Sequence, residues 1–235
     1  MEREEYAREN YPSFGKKYNG EKAIISLTSW RARINTVSKT LYSLIKQCPG
    51  FHIVLVLSEE EFPKMMDELL ENLKLFVENE LIELLWVYKN YKSFKKVLFT
   101  MDKYRDVPVI SADDDCIYTC NYAQKLYDEW VKHPHCVITN DGNYQHEGIK
   151  ISRGSNTLFH YSLFSNVITN LDKLHFTILN DDAFYSAVYI LNQIKLVDLC
   201  NKPFYRFHTD RGALSDKVRY SFKDILFYLK QMEVV

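Results

Sequence analysis

Val107-Pro108-Val109-Ile110-Ser111-Ala112-Asp113-Asp114-Asp115 is an apolar, largely β-branched run that ends in three consecutive aspartates. Such a run is typical of a buried strand. One interpretation of the aspartates is an acidic turn that only ends this strand. The other is that a divalent cation neutralises their mutual repulsion, because hard oxygen ligands suit Mg²⁺ or Mn²⁺. At the carboxyl end of a strand in an open α/β sheet, that cation would lie where such folds bind nucleotides.

Strand and helix patterns alternate on both sides of this run. Besides the run itself, predicted strands cover 22–27, 51–57, 81–87 and 136–139. Predicted helices cover 36–47, 59–77, 93–104 and 121–132, with Ser93 as a helix N-cap. The alternation predicts an α/β fold, with a Rossmann-like, mostly parallel sheet and helices on both faces.

The two ends of the chain are less regular. Residues 1–20 are polar and rich in tyrosine and read as a tail or an arm. In the second half we expect a helix opened by Asn180-Asp181-Asp182, a strand over 194–199 and a basic amphipathic helix over 219–232. No repeat or low-complexity linker divides the sequence. We therefore expect one domain over 1–235, with a nucleotide-binding half over about 22–120 and an acceptor-facing half, including the C-terminal helix, over about 121–235.

Composition excludes several classes of function. The net charge of -1 argues against a nucleic-acid partner. Glycine is scarce, at 7 residues, and neither GxGxxG nor GxxxxGK[ST] occurs, so no glycine-rich phosphate loop is expected. The 5 cysteines include no CxxC pair, which argues against zinc and indicates a reducing cytosol. The charged start MEREEYAREN is not a signal peptide, and no apolar stretch is long enough to span a bilayer. We expect a cytoplasmic protein, soluble or peripheral at the inner face of the membrane.

Four segments carry a resemblance to a known family. They are SLTSWRARI (26–34), YKSFKKVL (91–98), VISADDDCIY (109–118) and NDDAF (180–184). In this order they resemble a group of bacterial glycosyltransferases found in capsule and lipopolysaccharide gene clusters, over roughly 24–190. The resemblance implies a GT-A-like fold, with a Rossmann-like half, a metal-binding DXD motif and an acceptor half. The chain departs from the group at 152–155, where the family's glycine-rich segment is reduced to SRGS, and in its C-terminal third.

The resemblance implies that Mn²⁺ or Mg²⁺ binds the diphosphate of a nucleotide-sugar donor as a Lewis acid. Asp113 and Asp115 are the predicted metal site, because alternate residues of an extended chain face the same way. Asp115 is expected to be the direct ligand, and Asp113 to contact the donor ribose or to reach the metal through water. Asp114 is expected to face the sugar or the acceptor. His208 is either a third metal ligand, as many enzymes of this fold supply, or a structural histidine.

Five further residues are candidates for binding the nucleotide sugar. Lys95 and Lys96, in the Ser-x-Lys-Lys that begins at Ser93, either reach the phosphates as point charges or form an ordinary solvated pair. Thr28 and Arg33 occupy the loop after the first strand, where the resemblance puts the base and the ribose.

Asp181 and Asp182 have two interpretations as well. Acidic residues at a helix start are routine. An inverting transferase, however, needs a general base opposite the leaving group. The resemblance favours Asp182 as the base and Asp181 as its neighbour in acceptor binding, although the two roles are exchangeable.

The resemblance, with these residues, implies a metal-dependent, inverting hexosyltransferase that uses a nucleotide diphosphate sugar, such as a UDP-sugar. The acceptor would be a hydroxyl of a growing surface glycan, free or lipid-linked. The helix over 219–232 either touches a membrane or packs its apolar face on the domain. Two rivals remain: a sugar nucleotidyltransferase, which usually has a glycine-rich loop where 24–49 has no glycine, and a non-catalytic nucleotide-sugar-binding module of the same fold.

Overall fold

The computed structural model describes residues 11–141, 144–146, 149–151, 154–171, 180–207 and 222–231. The strands in these ranges are β1 (Ser13–Gly15), β2 (Ala23–Thr28), β3 (Phe51–Ser58), β4 (Glu83–Val87), β5 (Val109–Ala112), β6 (Cys116–Tyr118), β7 (Cys136–Thr139), β8 (Tyr144–His146), β9 (Ile149–Ile151), β10 (Thr157–Phe159), β11 (Lys195–Asp198) and β12 (Phe204–Arg206). The α-helices are α1 (Val37–Leu44), α2 (Glu71–Glu78), α3 (Lys95–Lys103), α4 (Tyr122–Lys132), α5 (Ser165–Thr169), α6 (Asp181–Leu191) and α7 (Phe222–Gln231).

Eight strands form one mostly parallel sheet in the order β1-β4-β3-β2-β5-β10-β7-β11. The strands β4, β3, β2 and β5 are mutually parallel, as are β7 and β11. The strand β10 is antiparallel to both of its neighbours, and β1 is antiparallel to β4. The chain runs outward from β2 to β3 and β4 and then returns to β5 on the other side of β2. This reversal creates a topological switch point between β2 and β5, where open α/β sheets bind ligands.

The sheet separates two hydrophobic cores. Successive residues of β2 point to opposite faces, so Ile24 lies in one core and Ile25 in the other. Buried residues of α3, α5, α6 and α7 cover the first core, and those of α1, α2 and α4 cover the second. Burial on both faces explains why β3 is apolar at every position except His52 and the final Ser58. The predicted α/β architecture, with helices on both faces of a mostly parallel sheet, is confirmed.

The segment after β3 differs from the single helix predicted over 59–77. A 3₁₀ turn over Met65–Glu68 comes first, and α2 begins only at Glu71. Pro63 lacks a backbone N–H, and Met65 adopts a left-handed backbone with φ of 50°. Leu69 is extended, so the chain straightens before α2 starts. Hydrophobic periodicity continues across this break, which explains the wrong prediction.

Two further predictions need correction, one about the start of α3 and one about the N-terminal arm. Ser93 is not an N-cap, because it lies inside a 3₁₀ turn over Lys92–Phe94, and α3 starts after Phe94 without a side-chain cap. Part of the expected N-terminal arm forms β1, which pairs with the otherwise open edge of β4.

Two helices in the second half follow their predictions. Asn180 caps α6, since its side chain accepts a hydrogen bond from the Ala183 amide at 3.0 Å. The C-terminal helix α7 buries Ile225 and Leu229 in the core beside α6 and leaves Phe227 64% exposed. Among the helices described here, none is both long and apolar enough to cross a membrane.

Candidate active site

A cavity of about 350 Å³ opens at the carboxyl ends of β2 and β5, at the switch point of the sheet. The predicted site residues that line this cavity are Thr28, Arg33, Ser93, Lys95, Lys96, Asp113, Asp114, Asp115, Asp181 and Asp182. His208, the predicted third metal ligand, lies outside the described residues. The fold therefore brings together, around one space, side chains that are spread over more than half of the chain.

Asp114 is held by the loop that follows β2. The pairing of β2 with β5, in which Leu27 is opposite Ala112, brings Ser29 beside the triplet. Ser29 Oγ donates to one Asp114 oxygen at 2.6 Å, and Arg33 Nη1 donates to the other at 2.9 Å. Burial raises the pKa of Asp114 in spite of the nearby Arg33 charge. Both of its oxygens bond to this loop, and Asp114 also lines the cavity. That Asp114 faces the sugar or the acceptor stays a prediction.

Asp113 and Asp115 instead share one basic side chain, Arg206. Nη2 of Arg206 donates to Asp113 Oδ2 at 2.9 Å, and Nη1 donates to Asp115 Oδ2 at 3.1 Å. The strand that carries Arg206, β12, pairs with β6 directly after the triplet, and the Phe207 amide donates to the Asp115 carbonyl at 2.9 Å. Asp113 and Asp115 thus bond to one guanidinium, as side chains two positions apart on an extended chain can do.

Lys96 makes the most deeply buried ion pair with the triplet. Its Nζ donates to Asp113 Oδ1 at 2.9 Å and to Ser155 Oγ at 2.8 Å, and Ser155 donates in turn to the same Asp113 oxygen. Burial would lower the pKa of Lys96, but Asp113 and then Asp181 hold it above the usual range. Burial would likewise raise the pKa of Asp113, but Lys96 and Arg206 hold it well below its usual range. Both groups are therefore charged at neutral pH.

Lys95 points to a different part of the same cavity. Its Nζ donates to Glu61 Oε2 at 2.9 Å and to Asn90 Oδ1 at 2.7 Å, and its side chain is 1% exposed. Burial lowers the pKa of Lys95 below the usual lysine value despite the Glu61 charge. The alternative that Lys95 and Lys96 form a solvated pair is therefore wrong.

Three basic side chains neutralise the three aspartates. Arg33 pairs with Asp114 and also lies 3.2 Å from Asp115 Oδ2, while Lys96 and Arg206 serve Asp113. In this structure the repulsion within the triplet is balanced by protein side chains that the sequence analysis assigned to donor binding or did not assign at all.

Asp182 lies at the start of α6, where α6 faces the loop before β10. The Gly154 amide donates to Asp182 Oδ1 at 2.6 Å. Burial, and then the Asp181 charge, raise the pKa of Asp182 to about 7. A Cβ atom on Gly154 would lie 2.7 Å from the Tyr185 ring, so only glycine brings this amide so close to α6. Asp182 is thus an oriented carboxylate that exchanges a proton near neutral pH.

The donor set of the triplet fits a hard divalent cation. Carboxylate oxygens of Asp113 and Asp115 lie within 4.8 Å of each other and of Cys116 Sγ. Burial raises the pKa of the Cys116 thiol, and Mg²⁺ and Mn²⁺ prefer oxygen, so the two carboxylates are the suitable ligands. The Arg206 guanidinium, which bonds one oxygen of each, shows that a single cation can be shared between them. A metal would need this guanidinium to move away.

Sequence reasoning missed several residues of the cavity wall. Arg206, Ser155, Glu61, Asn90 and Lys92 line it, and the sequence analysis gave none of them a role. For Arg206 a weak signal existed, namely a basic residue two positions before the histidine that was considered as a metal ligand. For Ser155 the signal was its place in the shortened SRGS segment.

Sequence comparisons give no relative: no protein-family model matches the chain, and no curated protein matches it. Solved structures do share its fold. Residues 1–349 of S. aureus TarS in complex with UDP-GlcNAc align with a TM-score of 0.60 and 12% identity, over 90% of this chain and 66% of that one. The same protein with UDP gives a TM-score of 0.55 and 13% identity, over 78% and 59% of the two chains.

A further structural neighbour is the glycosyltransferase GlyE of Streptococcus pneumoniae TIGR4. It aligns with a TM-score of 0.50 and 12% identity, over 92% of this chain and 64% of that one. The present chain therefore spans less than two thirds of the length of these neighbours. At such low identity the likeness shows the fold, which this chain has in common with a glycosyltransferase and with a protein that binds UDP and UDP-GlcNAc.

Proposed function

We propose that this chain is a metal-dependent glycosyltransferase that transfers a hexose from a nucleoside diphosphate sugar, with UDP-sugars as the first candidates, and inverts the anomeric centre. One observation carries the proposal. A single cavity at the switch point combines the neighbouring carboxylates of Asp113 and Asp115, the buried charge of Lys96 and a carboxylate, Asp182, with a pKa of about 7. The UDP-GlcNAc complex of a protein with the same fold supports this choice of donor.

Donor binding needs positive charge where the diphosphate lies. Lys96, on α3, and Arg206, on β12, bring positive charge to the cavity. Arg33 adds a third positive charge from the loop after β2. Thr28, at the end of β2, and Ser93, inside the turn before α3, line the same space. Mn²⁺ or Mg²⁺, held by Asp113 and Asp115, would supply Lewis-acid stabilisation of the leaving diphosphate. This chain's own cations add to that stabilisation without any proton transfer.

Asp182 is the general base that accepts the proton of the acceptor hydroxyl. As the acceptor oxygen bonds to the anomeric carbon and the bond to the diphosphate breaks, the hydroxyl proton moves to the Asp182 carboxylate. A pKa of about 7 makes this carboxylate a stronger base than an ordinary aspartate and still leaves it partly ionised at neutral pH. The Gly154 amide fixes its direction, and Asp181 is its neighbour on the acceptor side.

The rest of the proposal follows the sequence resemblance. The acceptor is a growing surface glycan, free or lipid-linked, of the capsule or lipopolysaccharide kind. The chain acts in the cytoplasm as a single domain over 1–235, with contact to the inner face of the membrane through the C-terminal helix. Supporting that contact, α7 leaves Phe227 exposed and carries Lys223 and Lys230, although its Ile225 and Leu229 are used for packing.

A thermal-shift panel tests the proposal. UDP, GDP, CDP and CMP are each added with and without Mn²⁺ to the wild type, to Asp115→Ala and to a matched control, Asp67→Ala, which removes an exposed carboxylate outside the cavity. Ligands that bind only the folded state raise its apparent stability by mass action. We expect one diphosphate to give a Mn²⁺-dependent shift that is lost in Asp115→Ala and kept in Asp67→Ala.

Two other outcomes would favour the rivals. A shift with UTP, added to the panel as a fifth nucleotide, but with none of the diphosphates would favour a sugar nucleotidyltransferase. A nucleotide shift that is indifferent to Mn²⁺ and to Asp115 would favour a non-catalytic binding module. No shift with any nucleotide would contradict donor binding altogether.

A further inference from the structure

Arg206 occupies the position that a cation shared by Asp113 and Asp115 would take. Its two terminal nitrogens each bond one oxygen of a different aspartate, at 2.9 and 3.1 Å. A guanidinium that spans two carboxylates in this way satisfies both of them at once. The same Oδ2 atoms therefore serve either Arg206 or a second cation.

Arg206 is also the most exposed of the three basic partners of the triplet. Its side chain is 40% exposed, whereas that of Arg33 is 19% and that of Lys96 is 4% exposed. It lies at the end of a three-residue strand, and its side-chain hydrogen bonds within the described ranges go to these two aspartates. Lys96, by contrast, is held by Ser155 as well as by Asp113.

We propose that Arg206 is a displaceable counter-ion, which holds Asp113 and Asp115 together before donor loading and gives up their oxygens when a divalent cation binds. This inference rests on the proposed function and adds an order of events to it. A divalent cation and a guanidinium on the same pair of oxygens repel each other strongly in a half-buried site, which favours the departure of the guanidinium. The displaced guanidinium needs a new anion, and the donor diphosphate, bound in the same cavity, is that anion.

Thermodynamic linkage gives this inference a measurable consequence. If displacement of Arg206 opposes metal binding, and the diphosphate offers Arg206 a new partner, then Mn²⁺ and UDP must each strengthen binding of the other. Wild type should thus bind Mn²⁺ weakly alone and more tightly with UDP. Removal of the Arg206 guanidinium should strengthen Mn²⁺ binding without nucleotide, and it should reduce the factor by which UDP strengthens Mn²⁺ binding.

The experiment measures Mn²⁺ affinity without nucleotide, by the loss of the free Mn²⁺ signal in electron paramagnetic resonance. Wild type is compared with Arg206→Gln, with Arg206→Lys and with Arg105→Gln. Arg105 is a matched control because it is an exposed arginine paired with Asp102, away from the cavity. We expect Arg206→Gln to bind Mn²⁺ about tenfold more tightly or better, since a competing positive charge is gone.

Arg206→Lys is expected to fall between the wild type and Arg206→Gln, because a lysine keeps the charge but cannot span two carboxylates with a planar fork. Arg105→Gln should match the wild type. Addition of Asp115→Asn to Arg206→Gln should abolish the gain, which locates the ion at the triplet.

Unchanged or weaker Mn²⁺ affinity in Arg206→Gln would overturn the inference, and so would a gain that survives Asp115→Asn. Failure of the proposed function gives a different pattern. If Arg206→Gln gains Mn²⁺ affinity but no nucleotide binds the wild type, the counter-ion role stands and the donor assignment falls. If the wild type binds UDP with Mn²⁺ but Arg206→Gln shows no gain, the function stands and the counter-ion role falls.

Discussion

Asp182 accepts a hydrogen bond from the backbone amide of Gly154 at 2.6 Å, across 28 residues of sequence. Because the donor is a backbone group in the loop before β10, the direction of the carboxylate is set by the fold itself. Burial, and then the Asp181 charge, outweigh this hydrogen bond and the Lys96 charge, so the pKa of Asp182 is raised to about 7. A carboxylate that is oriented, partly buried and basic is suited to removing a proton from an acceptor hydroxyl.

Asp182→Asn should remove most of the transfer activity and leave donor binding unchanged. Asparagine keeps the shape and can still accept the Gly154 hydrogen bond, but it cannot take a proton. We expect a loss of about 100-fold or more in kcat, within the usual range for a general base. Glycosyl transfer and nucleotide affinity are measured in parallel. Asp181→Asn is the matched control, and a larger loss in that variant than in Asp182→Asn would exchange the two roles.

The pH dependence of kcat/KM should report the same carboxylate. Only the ionised form of Asp182 accepts a proton, so the rate should rise about tenfold per pH unit below its pKa and level off above about 7. The ascending limb should vanish in Asp182→Asn, whose residual rate lacks this ionisation. A wild-type profile that stays flat between about pH 5 and 8 would be incompatible with Asp182 as the base.

The free energy of unfolding should fall as the pH rises, whereas the rate of transfer should increase, and both changes reflect Asp182. The folded pKa is raised above the ordinary value of 3.8 to about 7, so the favourable contribution of the protonated form is complete below pH 3.8 and is lost as the pH rises to about 7. Asp182→Asn avoids this loss. Its stability gain over the wild type should be near zero at about pH 4 and reach at most roughly 4 kcal/mol at about pH 8. Denaturant unfolding at several pH values measures it, and a difference that does not change with pH would contradict the burial of this charge.

Lys96→Met should be strongly destabilising, although it replaces a charged side chain with an apolar one of similar length. The substitution removes the positive charge that Lys96 places beside Asp113, Asp181 and Asp182. Loss of one partner of a buried ion pair costs about 3–5 kcal/mol. Urea unfolding measures the loss. Adding Asp113→Asn should restore part of it, which shows coupling within the pair. Lys132→Met, at an exposed ion pair, is the control and should change stability by less than about 0.5 kcal/mol. A cost for Lys96→Met as small as that of the control would contradict the buried pair.

The sequence predicts the sheet well because its signals are local. Continuous apolar runs mark the parallel strands, and the aspartates follow the strand that ends at Ala112. Lys96 and Asp113, only 17 residues apart along one α3–β5 unit, are brought together by that same local order. The predicted helix over 59–77 fails for the same reason, since local periodicity gives no weight to the backbone break at Met65.

Arg206 was beyond this kind of prediction. It reaches Asp115 across 91 residues, through the pairing of two strands of three residues each, which are too short to show a periodic pattern. The orientation of Asp114 was equally hidden, because it depends on the register between β2 and β5 and on the loop that carries Ser29. The pairing of strands far apart in sequence therefore decides which basic side chain contacts each aspartate of the triplet.

The most direct measurement is cleavage of a nucleotide sugar by the purified chain. UDP-GlcNAc and UDP-glucose are incubated with Mn²⁺, with water as the acceptor, and release of UDP is followed for the wild type and for Asp115→Asn. We expect Mn²⁺-dependent release that falls about 100-fold in the variant, because a ligand of the expected metal ion is lost. Equal release by the two proteins, or release that is indifferent to Mn²⁺, would contradict a transferase built on the aspartate triplet.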